Sequence, residues 1–588
     1  MGHAVASNVS DLIKLAKLGS GTLPSLVALG FVASLAEGIG IGLFIPLLDL
    51  LLDAGPRTEA GPLTELLQGM VPAGDTTTQV VAIVVAILTL VALRTAVLAA
   101  DLYLATSLAA RTTCELRIAC CRQLLEVGYG YFPRADRGRV LSTIDTHTYR
   151  TGEAIVLLGT ALIHATAVAV GISLLLLLSW RMTLVVAAML APALYAVWRL
   201  SRAAHAGGES LVQAYSTMAA RGLEMLQAMR TIRIFGQERA EEQRFAAAAG
   251  GLGRAFGRSE ALNHLVPVLA ELLYLPAFIA ALGYAWYAEL GIPSALVFMV
   301  LLYRLQPQLL RLDQARVMLA SLVPSYTEVA SLVRRDDKLY LSSGSAVLAR
   351  GPHRIEFEAV TFRHAPDGPA ALDQASFTVG PGELVVVTGS SGAGKSTMVD
   401  LLCRLYDPAS GTVRIDGVAL PELDLERWRQ RIAFAGQDAE LLYGTIRDNL
   451  SFGRDGATEV EVRSALERAQ ALEFVARLPA GLETQVGPGG AALSAGQRQR
   501  LALARALLRG AEVLLLDEAT NAVDLETDQA IDDAVARCAG AATVIVVSHR
   551  LETLRRAPRI IAIEAGRIVA DGPARSVLAA RDALPGAG

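Results

Sequence analysis

Residues 385–402 read VVVTGSSGAGKSTMVDLL, an apolar stretch that leads into a glycine-rich loop and then into a helical pattern. The loop matches GxxxxGK(S/T), and in this context its glycines let backbone N–H groups surround phosphates at a helix N-terminus. We expect Lys395 to reach the β- and γ-phosphates of a nucleoside triphosphate and the Ser396 hydroxyl to bind Mg²⁺. The predicted nucleotide-binding residues of the loop are Gly389, Ser390, Ser391, Gly392, Ala393, Gly394, Lys395, Ser396 and Thr397.

A second stretch, EVLLLDEAT at 512–520, places acidic residues at the end of an apolar strand. Asp517 can support Mg²⁺ through water, and Glu518, the next residue, can polarise an attacking water molecule. Short apolar runs of this kind alternate with helical patterns after residue 353, which predicts a mostly parallel α/β sheet. This part of the chain is therefore predicted to bind and hydrolyse a nucleoside triphosphate.

The first half of the chain is richer in apolar runs. The 588-residue chain is 53% hydrophobic, above the roughly 45–50% of soluble proteins. Several runs reach the ~20 residues that a helix needs to cross a bilayer. The net charge of −4 provides no global basic field, so a nucleic acid partner is not expected. The predicted membrane spans are 24–52, 78–106, 153–179, 182–200, 264–288 and 292–324.

The polar segments between these spans predict how the chain is oriented. The segments after the second and fourth spans are long and rich in arginine, whereas the links 179–182 and 288–293 are short. Because positively charged loops stay in the cytoplasm, both termini and the phosphate-binding loop are expected there. We expect a multi-pass protein of the bacterial cytoplasmic (inner) membrane.

Further motifs lie around the acidic pair. The stretch LSAGQRQRLALARAL begins at residue 493, and Gln437 lies in AFAGQDAELLYGTIRDNL. NAVD follows at 521–524, and His549 lies in VVSHR. Together with the loop, these motifs resemble the ATP-binding cassette (ABC) ATPases, whose signature is usually LSGGQ. The six spans extend the resemblance to the ABC exporter family.

The resemblance implies a helical membrane domain with six transmembrane helices, fused to an α/β P-loop ABC ATPase domain. We place the membrane domain at 1–330, a linker at 331–352 and the nucleotide-binding domain at 353–588. ATP and Mg²⁺ are the implied cofactors, Glu518 and His549 the catalytic residues. Metal binding is implied for Ser396, Gln437 and Asp517.

The family also forms head-to-tail dimers in which one subunit's signature helix covers the ATP of the other. The partner is thus a second copy of the chain or a paralogous half-transporter. ATP would favour the closed dimer, and hydrolysis would remove that preference. The residues expected to act in trans are Ser494, Ala495, Gly496, Gln497 and Asp524.

Two positions differ from the residues that are usual in the family. His364 stands where the family usually stacks adenine on a tyrosine, and Pro488 replaces a glutamate before the signature. The coupling helices of the exporter family are expected near 141–149 and 214–222. Intact Glu518 and His549 favour an enzyme that turns over ATP.

Ionisable residues also occur inside the apolar spans. Glu37, Arg94, Glu271 and Arg304 are candidates for a polar substrate path, since charges at membrane depth face a cavity or each other. The alternative is structural, for example an ion pair between Glu271 and Arg304. His164 is expected to be a hydrogen-bonded packing residue.

Buried arginines suit an anionic group, and long apolar spans suit a lipid tail. We therefore expect an amphipathic substrate with an anionic head, a lipid-linked saccharide or lipid, moved among membrane lipids. This agrees with a resemblance to exporters that flip lipid-linked oligosaccharides. The alternative cargo is a modified or antimicrobial peptide or another small molecule. Other classes left open are an ATP-gated receptor or channel, an importer, and a soluble ABC ATPase of DNA repair, although the spans argue against the last.

Overall fold

The computed structural model describes residues 22–51, 69, 74–288, 292–365, 367–519 and 525–582. The chain divides into two compact units, each with its own internal contacts. The first comprises Met1–Leu124 and Gly138–Arg334, and the second comprises Leu125–Arg137 and Arg335–Gly588. We call them the membrane unit and the catalytic unit.

The described part of the membrane unit is helical. A π-helical turn, Thr143–His147, lies between its fourth and fifth helices. The helices are α1 (Thr22–Gly42), α2 (Phe44–Leu51), α3 (Thr76–Glu126), α4 (Arg137–Ser142), α5 (Thr148–Gln227), α6 (Met229–Ile234), α7 (Glu238–Tyr287) and α8 (Ile292–Val333).

Four helical stretches of the described residues are long and apolar enough to cross a membrane. They are Pro24–Leu51, Thr76–Glu126, Arg137–Pro192 and Ile292–Val333. Leu275–Tyr287 is a shorter apolar helical stretch inside α7. The coarse expectation of a multi-span helical domain is thus met, and the count of six spans stays a prediction.

Helix α5 consists of two helices that meet at Ser179, where φ is −161° and ψ is 101°. Past this extended residue, the Thr183 hydroxyl donates hydrogen bonds to the carbonyls of Leu175 (2.9 Å) and Ser179 (2.8 Å). The Met182 N–H reaches the Ser179 hydroxyl at 3.4 Å. These side-chain bonds satisfy backbone groups that the break leaves open. The break falls inside the predicted link 179–182.

The catalytic unit contains a six-stranded sheet in the order β10-β9-β3-β8-β7-β6. All neighbouring pairs are parallel except β10–β9, which is antiparallel. The central strands read LVVVT, VLLLD and TVIVV and are almost fully buried, as expected for a parallel sheet covered on both faces. The strands of this sheet are β3 (Leu384–Thr388), β6 (Ile432–Ala435), β7 (Val513–Asp517), β8 (Thr543–Val547), β9 (Ile560–Glu564) and β10 (Arg567–Gly572).

A smaller antiparallel sheet has the order β2-β1-β4-β5. Its strands are β1 (Ile355–Phe362), β2 (Leu372–Val379), β4 (Ser410–Ile415) and β5 (Val418–Ala419). The helices of the unit are α9 (Lys395–Leu402), α10 (Leu425–Gln430), α11 (Ile446–Ser451), α12 (Glu459–Arg468), α13 (Leu472–Arg477), α14 (Ala495–Arg509), α15 (Leu525–Ala536), α16 (Leu551–Arg556) and α17 (Ala574–Asp582). Short 3₁₀ turns occur at Tyr129–Tyr131, Leu420–Glu422, Gly481–Glu483 and Pro488–Gly490.

Two hydrophobic clusters cover the faces of the six-stranded sheet. One contains Met398 of α9 and Trp428 of α10 together with residues of the smaller sheet. The other contains Leu466 of α12 and Leu503 of α14. Trp428 is fully buried, and its indole N–H donates to the Leu402 carbonyl at 2.9 Å. This packing fixes α9, which follows the glycine-rich loop, against the sheet.

The segment Leu125–Arg137 belongs to the catalytic unit although it follows α3 in the chain. The Gly128 N–H donates to the Leu339 carbonyl at 2.9 Å, and the Tyr129 ring lies 5.8 Å from that of Tyr406. Residues 141–149, where the first coupling helix was expected, lie in the membrane unit with Leu141 and Tyr149 exposed. The coupling role of 141–149 therefore stays a prediction, and the loop segment that packs within the catalytic unit is 125–137. The second expected position, 214–222, lies within α5.

Candidate functional site

The predicted catalytic and nucleotide-binding motifs follow four strands that are neighbours in the sheet order β3-β8-β7-β6. Gly389 follows β3, His549 follows β8, Glu518 follows β7 and Gln437 follows β6. Parallel strands that are neighbours end at the same edge of a sheet, which is where ligands bind in open α/β folds. The fold therefore brings together motifs that are far apart in sequence.

The glycine-rich loop is tightly fitted between β3 and α9. Gly394 has φ of 104°, and a Cβ atom there would lie 2.2 Å from the carbonyl oxygen of Ala371. Only glycine fits this conformation and this space. The Lys395 ammonium donates to the carbonyls of Gly389 (3.0 Å) and Ser390 (2.9 Å). Its charge is thus held over the loop, at the N-terminus of α9, where phosphates are favoured.

Asp517 ends β7 and is buried. Burial raises the pKa of its carboxyl group, and a hydrogen bond from Ser396 lowers it in part. Burial and the charge of Asp517 also raise the pKa of Asp400 to about 6. A cation at this edge would relieve both effects.

The donor set at this edge fits Mg²⁺. In the part of the chain that the structure describes, no cluster of three or more His, Cys, Asp or Glu side chains could hold a metal alone. A hydroxyl and a carboxylate, Ser396 and Asp517, are hard oxygen donors of the kind that bind Mg²⁺ together with phosphates and water. The residues thus fit a cation that arrives with the nucleotide.

Glu518 adopts a left-handed backbone conformation with φ of 51°. Its N–H donates to the Val547 carbonyl on β8 at 3.0 Å, which holds the turn. His549 Nδ1 lies 3.2 Å from Glu518 Oε1. Strained backbone of this kind persists where the surroundings hold it, and it often marks an active site. The arrangement gives a positioned carboxylate with a histidine beside it.

His364 follows β1 and lies among aromatic rings. Its ring meets those of Phe362 and Tyr406 edge-on, with centroids 4.9 and 5.8 Å away. Its Nε2 lies 3.2 Å from the Thr397 hydroxyl, so the ring is fixed beside the glycine-rich loop. Arg134 donates to the His364 carbonyl at 2.6 Å.

The signature motif begins helix α14. Ser494 is its N-cap: the Ser494 hydroxyl accepts from the Gln497 N–H (3.3 Å), and the Ser494 N–H donates to Gln497 Oε1 (2.9 Å). This capping box satisfies two groups of the first turn. Ser494 and Ala495 are exposed, so the helix N-terminus is accessible. Asp524, predicted to act in trans, lies outside the described residues.

Comparisons with known proteins identify the family. Residues 29–303 match the family profile described as ABC transporter transmembrane region, and residues 372–521 match the profile described as ABC transporter. The "ATP-dependent lipid A-core flippase" of Aromatoleum aromaticum is 33% identical over 79% of this chain and 78% of its own length. The chain belongs to the ABC transporter family.

A second relative of this transporter is the "Heterocyst differentiation ATP-binding protein HepA" of Nostoc sp. It is 30% identical over 79% of this chain and 76% of its own length. A solved structure of a bacterial Atm1-family ABC exporter with ATP bound shares the fold, with a TM-score of 0.75 and 24% identity. The match covers 98% of this chain and 99% of that one. The protein is an ABC half-transporter of the exporter type, an ATPase whose hydrolysis is coupled to transport.

The membrane unit of the transporter joins three of the charged residues singled out in its spans. Arg94 Nε lies 3.1 Å from Glu37 Oε2, and Arg304 Nε lies 3.5 Å from Glu37 Oε1. Glu37 and Arg304 line a small, open cavity with Ser34, Leu301 and Gln308. We call Glu37, Arg94 and Arg304 the charged triad. It carries one net positive charge when all three are ionised.

Two expectations for the membrane residues can be compared with this geometry. Arg304 pairs with Glu37, whereas the side chain of Glu271, its suggested partner, lies outside the described residues. His164 Nδ1 lies 2.7 Å from Gln308 Oε1, which confirms that it is a hydrogen-bonded residue. The sequence did not predict that Arg134 and Tyr406 contact His364 beside the glycine-rich loop. The aromatic run YGYF at 129–132 could have indicated that this segment packs against other aromatic rings.

Proposed function

We propose that this half-transporter hydrolyses Mg²⁺-bound ATP at the carboxyl edge of its sheet and uses the cycle to flip a lipid-linked anionic substrate. The observation that carries the catalytic part is the convergence of Lys395, Asp517, Glu518 and His549 at the ends of neighbouring strands. We place the site in the cytoplasm and the protein in the bacterial cytoplasmic membrane. Six spans and the division at 331–352 are part of the same proposal.

Each group at the edge has a distinct task. The loop from Gly389 to Thr397 and the Lys395 ammonium would hold the phosphates, while Ser396, Asp517 and Gln437 would hold Mg²⁺ directly or through water. When bound, Mg²⁺ would supply positive charge beside the transferred phosphoryl group. His364 offers a ring face to adenine.

Glu518 has the geometry of a general base. Its carboxylate lies beside His549 at a fixed turn, where it can accept a proton from the attacking water. His549, 58% exposed against 16% for Glu518, is the more accessible of the two and can contact the γ-phosphate. Together they orient the water and hold the proton that it loses.

We further propose that the working unit is a dimer, with a second copy as the economical partner. One chain carries one loop and one signature helix, and the exposed N-terminus of α14 can offer N–H groups to a phosphate on another subunit. Ser494, Ala495, Gly496, Gln497 and Asp524 are assigned to this contact. A paralogous half-transporter is the alternative partner.

The catalytic proposal is tested by Glu518→Gln. Without the carboxylate, hydrolysis should fall at least about a hundredfold, the scale of one lost proton acceptor, while ATP still binds. Lys395→Ala should instead weaken ATP binding. Glu473→Gln, the same change on the exposed surface of α13, is the matched control and should behave as wild type. Near-normal hydrolysis by Glu518→Gln would sink the assignment.

The cargo is argued from the charged triad. Arg94 and Arg304 share one carboxylate, so an incoming phosphate or carboxylate can replace Glu37 as their partner. Guanidinium groups bind such oxyanions with two parallel hydrogen bonds. The relative from Aromatoleum aromaticum carries the name of a lipid A-core flippase, which suits an anionic lipid-linked saccharide. A lipid tail could stay in the bilayer while the head group passes the cavity.

Replacing Arg94 and Arg304 by alanine tests the cargo. Both variants should keep basal ATPase activity but lose stimulation by anionic lipid-linked saccharides. Arg316→Ala, which removes an exposed arginine of α8 paired with Asp313, is the matched control. The measurement is ATPase activity across a panel of anionic glycolipids, neutral lipids and peptides. If both variants respond as wild type does, the arginines are structural and the assigned cargo is wrong.

A further inference from the structure

Asp101 lies on α3, inside the predicted span 78–106, and is fully buried, with 0% of its surface exposed. Neither of its carboxylate oxygens has a hydrogen-bond partner among the described residues. It follows an apolar run, LTLVALRTAVLAA, in which Arg94 is the only charged residue. A buried carboxyl group without a partner inside a membrane helix requires a chemical explanation.

The surroundings of Asp101 can be placed from its neighbours. Ala105, one turn further along α3, lies against α5: a Cβ atom at Gly159 would be 3.3 Å from the Ala105 Cβ. Leu26 of α1 lies 3.9 Å from the same point on Gly159 and is buried. Residues four apart share a helix face. Asp101 therefore lies on the face of α3 that packs against α1 and α5.

The charged side chains of these helices have other partners or lie on other turns. Glu37, the one ionisable residue of α1, is paired with Arg94 and Arg304. His164 of α5 is bonded to Gln308 of α8. No described side chain lies within hydrogen-bond distance of either Asp101 oxygen. The other ionisable residues along this stretch are the exposed Tyr103 and Arg111 on α3, Tyr149, Arg150 and Glu153 on α5, and Arg311 on α8.

An ionised carboxylate in this position would cost several kcal/mol, because its lost hydration is not replaced. A protonated carboxyl group avoids this cost. Its O–H can also donate to a backbone carbonyl one turn earlier in the helix, as hydroxyl side chains do. The neutral acid is therefore the form that this packing accepts.

We propose that Asp101 is a proton-binding site: the carboxylate takes up a proton when α3 packs as described, and releases it when the membrane helices rearrange. The proton comes from water and forms one O–H bond; no oxidant, metal or other reactant is needed. The proposal adds a second ligand, the proton, to the transport cycle. It does not depend on which substrate the transporter moves.

The consequence is a link between pH and conformation. If one conformation holds one more proton than the other, their equilibrium shifts by up to tenfold for each pH unit. Higher pH would disfavour the packing described here. With Asn at position 101 this contribution vanishes, because an amide does not titrate in this range.

Infrared difference spectroscopy of the full-length transporter in lipid nanodiscs tests the protonation. The carbonyl stretch of a protonated carboxyl group should be present in the wild type at neutral pH and absent from Asp101→Asn. Asp455→Asn, the same change at an exposed position of the catalytic unit, should retain the band. Asp101→Glu should keep a protonated-acid band at a shifted frequency, which guards against misfolding. A spectrum in which Asp101→Asn loses no such band overturns the proposal.

Proton release tests the link to conformation. A non-hydrolysable ATP analogue is added to the protein in weakly buffered solution with a pH-indicator dye. The wild type should release up to one proton per chain more than Asp101→Asn does, while Asp455→Asn should match the wild type. Equal release by the wild type and Asp101→Asn would overturn the conformational link. Neither readout requires ATPase activity or an identified cargo, so failure here is distinct from failure of the proposed function.

Discussion

The two units each bury an ionisable side chain completely, but only in the catalytic unit does the buried side chain have hydrogen-bond partners among the described residues. In the catalytic unit, His353 is 1% exposed, and its two ring nitrogens each lie 2.7 Å from a carboxylate oxygen, of Asp416 and Glu512. In the membrane unit, Asp101 is 0% exposed and has no hydrogen-bond partner in the part of the chain that is described. Both ring nitrogens of the buried histidine thus have a hydrogen-bond partner, whereas the buried carboxyl group has none among the described residues, and a buried polar group without a partner is costly in its charged form.

The residues that contact His353 also hold one end of strand β7. Glu512, just before β7, binds His353 and Arg431, and Arg431 in turn donates to the Leu348 carbonyl at 2.7 Å. Asp517 and Glu518 lie at the other end of the same strand. One end of β7 is thus held by an ion pair and a hydrogen bond, while the other end carries the proposed catalytic residues.

The largest effect on stability is expected from Glu512→Gln. It removes the negative charge of the carboxylate that His353 and Arg431 both contact, and Glu512 is only 21% exposed. We expect a loss of about 2–3 kcal/mol in the free energy of unfolding of the catalytic unit, somewhat below the cost of breaking a fully buried pair. Thermal unfolding of the purified protein measures it.

Two controls sharpen this comparison. Glu518→Gln makes the same substitution at the other end of the strand region and should cost less stability while stopping hydrolysis. Asp101→Asn replaces a neutral carboxyl group that has no described hydrogen-bond partner, and it should not lower the unfolding temperature. A stable Glu512→Gln together with an unstable Asp101→Asn would reverse the contrast between the units.

The next largest effect concerns Mg²⁺. Ser396→Ala removes the hydroxyl that bonds to Asp517, and groups that orient a metal site typically contribute 10–100-fold in affinity. The Mg²⁺ concentration for half-maximal ATPase activity should therefore rise by about 10–100-fold on that basis. Titration of ATPase activity with Mg²⁺ at saturating ATP measures it. An unchanged Mg²⁺ requirement would remove Ser396 from the metal site.

A smaller effect is expected from Arg134→Ala. The change removes one hydrogen bond to the backbone of His364, worth about 0.5–1.5 kcal/mol, so the KM for ATP should rise about 2- to 10-fold. The ratio of ATP to GTP turnover should fall with it. Arg137→Ala, three residues on in the same segment, is the control. If both variants match the wild type in KM and in selectivity, the segment 125–137 does not position His364.

The meeting of the candidate catalytic motifs at one edge of the sheet could be predicted from sequence because each motif is local. A strand, a loop and a helix occur together in 385–402, and the acidic pair ends a continuous apolar strand; the parallel sheet then brings their ends together. Registers and caps follow from such patterns. The family resemblance supplied the roles of Gln437 and His549, which the spacing alone does not give.

The membrane residues resisted prediction because their partners are distant in sequence. Arg94 and Glu37 are 57 residues apart and on different helices. The pattern of an apolar span does not show which of its residues faces which residue of another span. Asp101 was absent from the candidates because a single acid in an apolar run gives no sign of which face is buried. The packing of residues 125–137 within the catalytic unit could not be predicted. Their aromatic side chains contact partners, such as Tyr406, that come near them only when the unit folds.

The central claim is that hydrolysis at Glu518 drives movement of an anionic lipid-linked substrate past the charged triad. It is tested most directly by reconstituting the purified full-length protein in liposomes and following transfer of a labelled anionic lipid-linked saccharide between leaflets. The wild type and Arg316→Ala should move it when ATP and Mg²⁺ are added. Glu518→Gln should bind ATP without moving it, and Arg94→Ala and Arg304→Ala should hydrolyse ATP without moving it. Movement by Glu518→Gln at the wild-type rate would contradict the account.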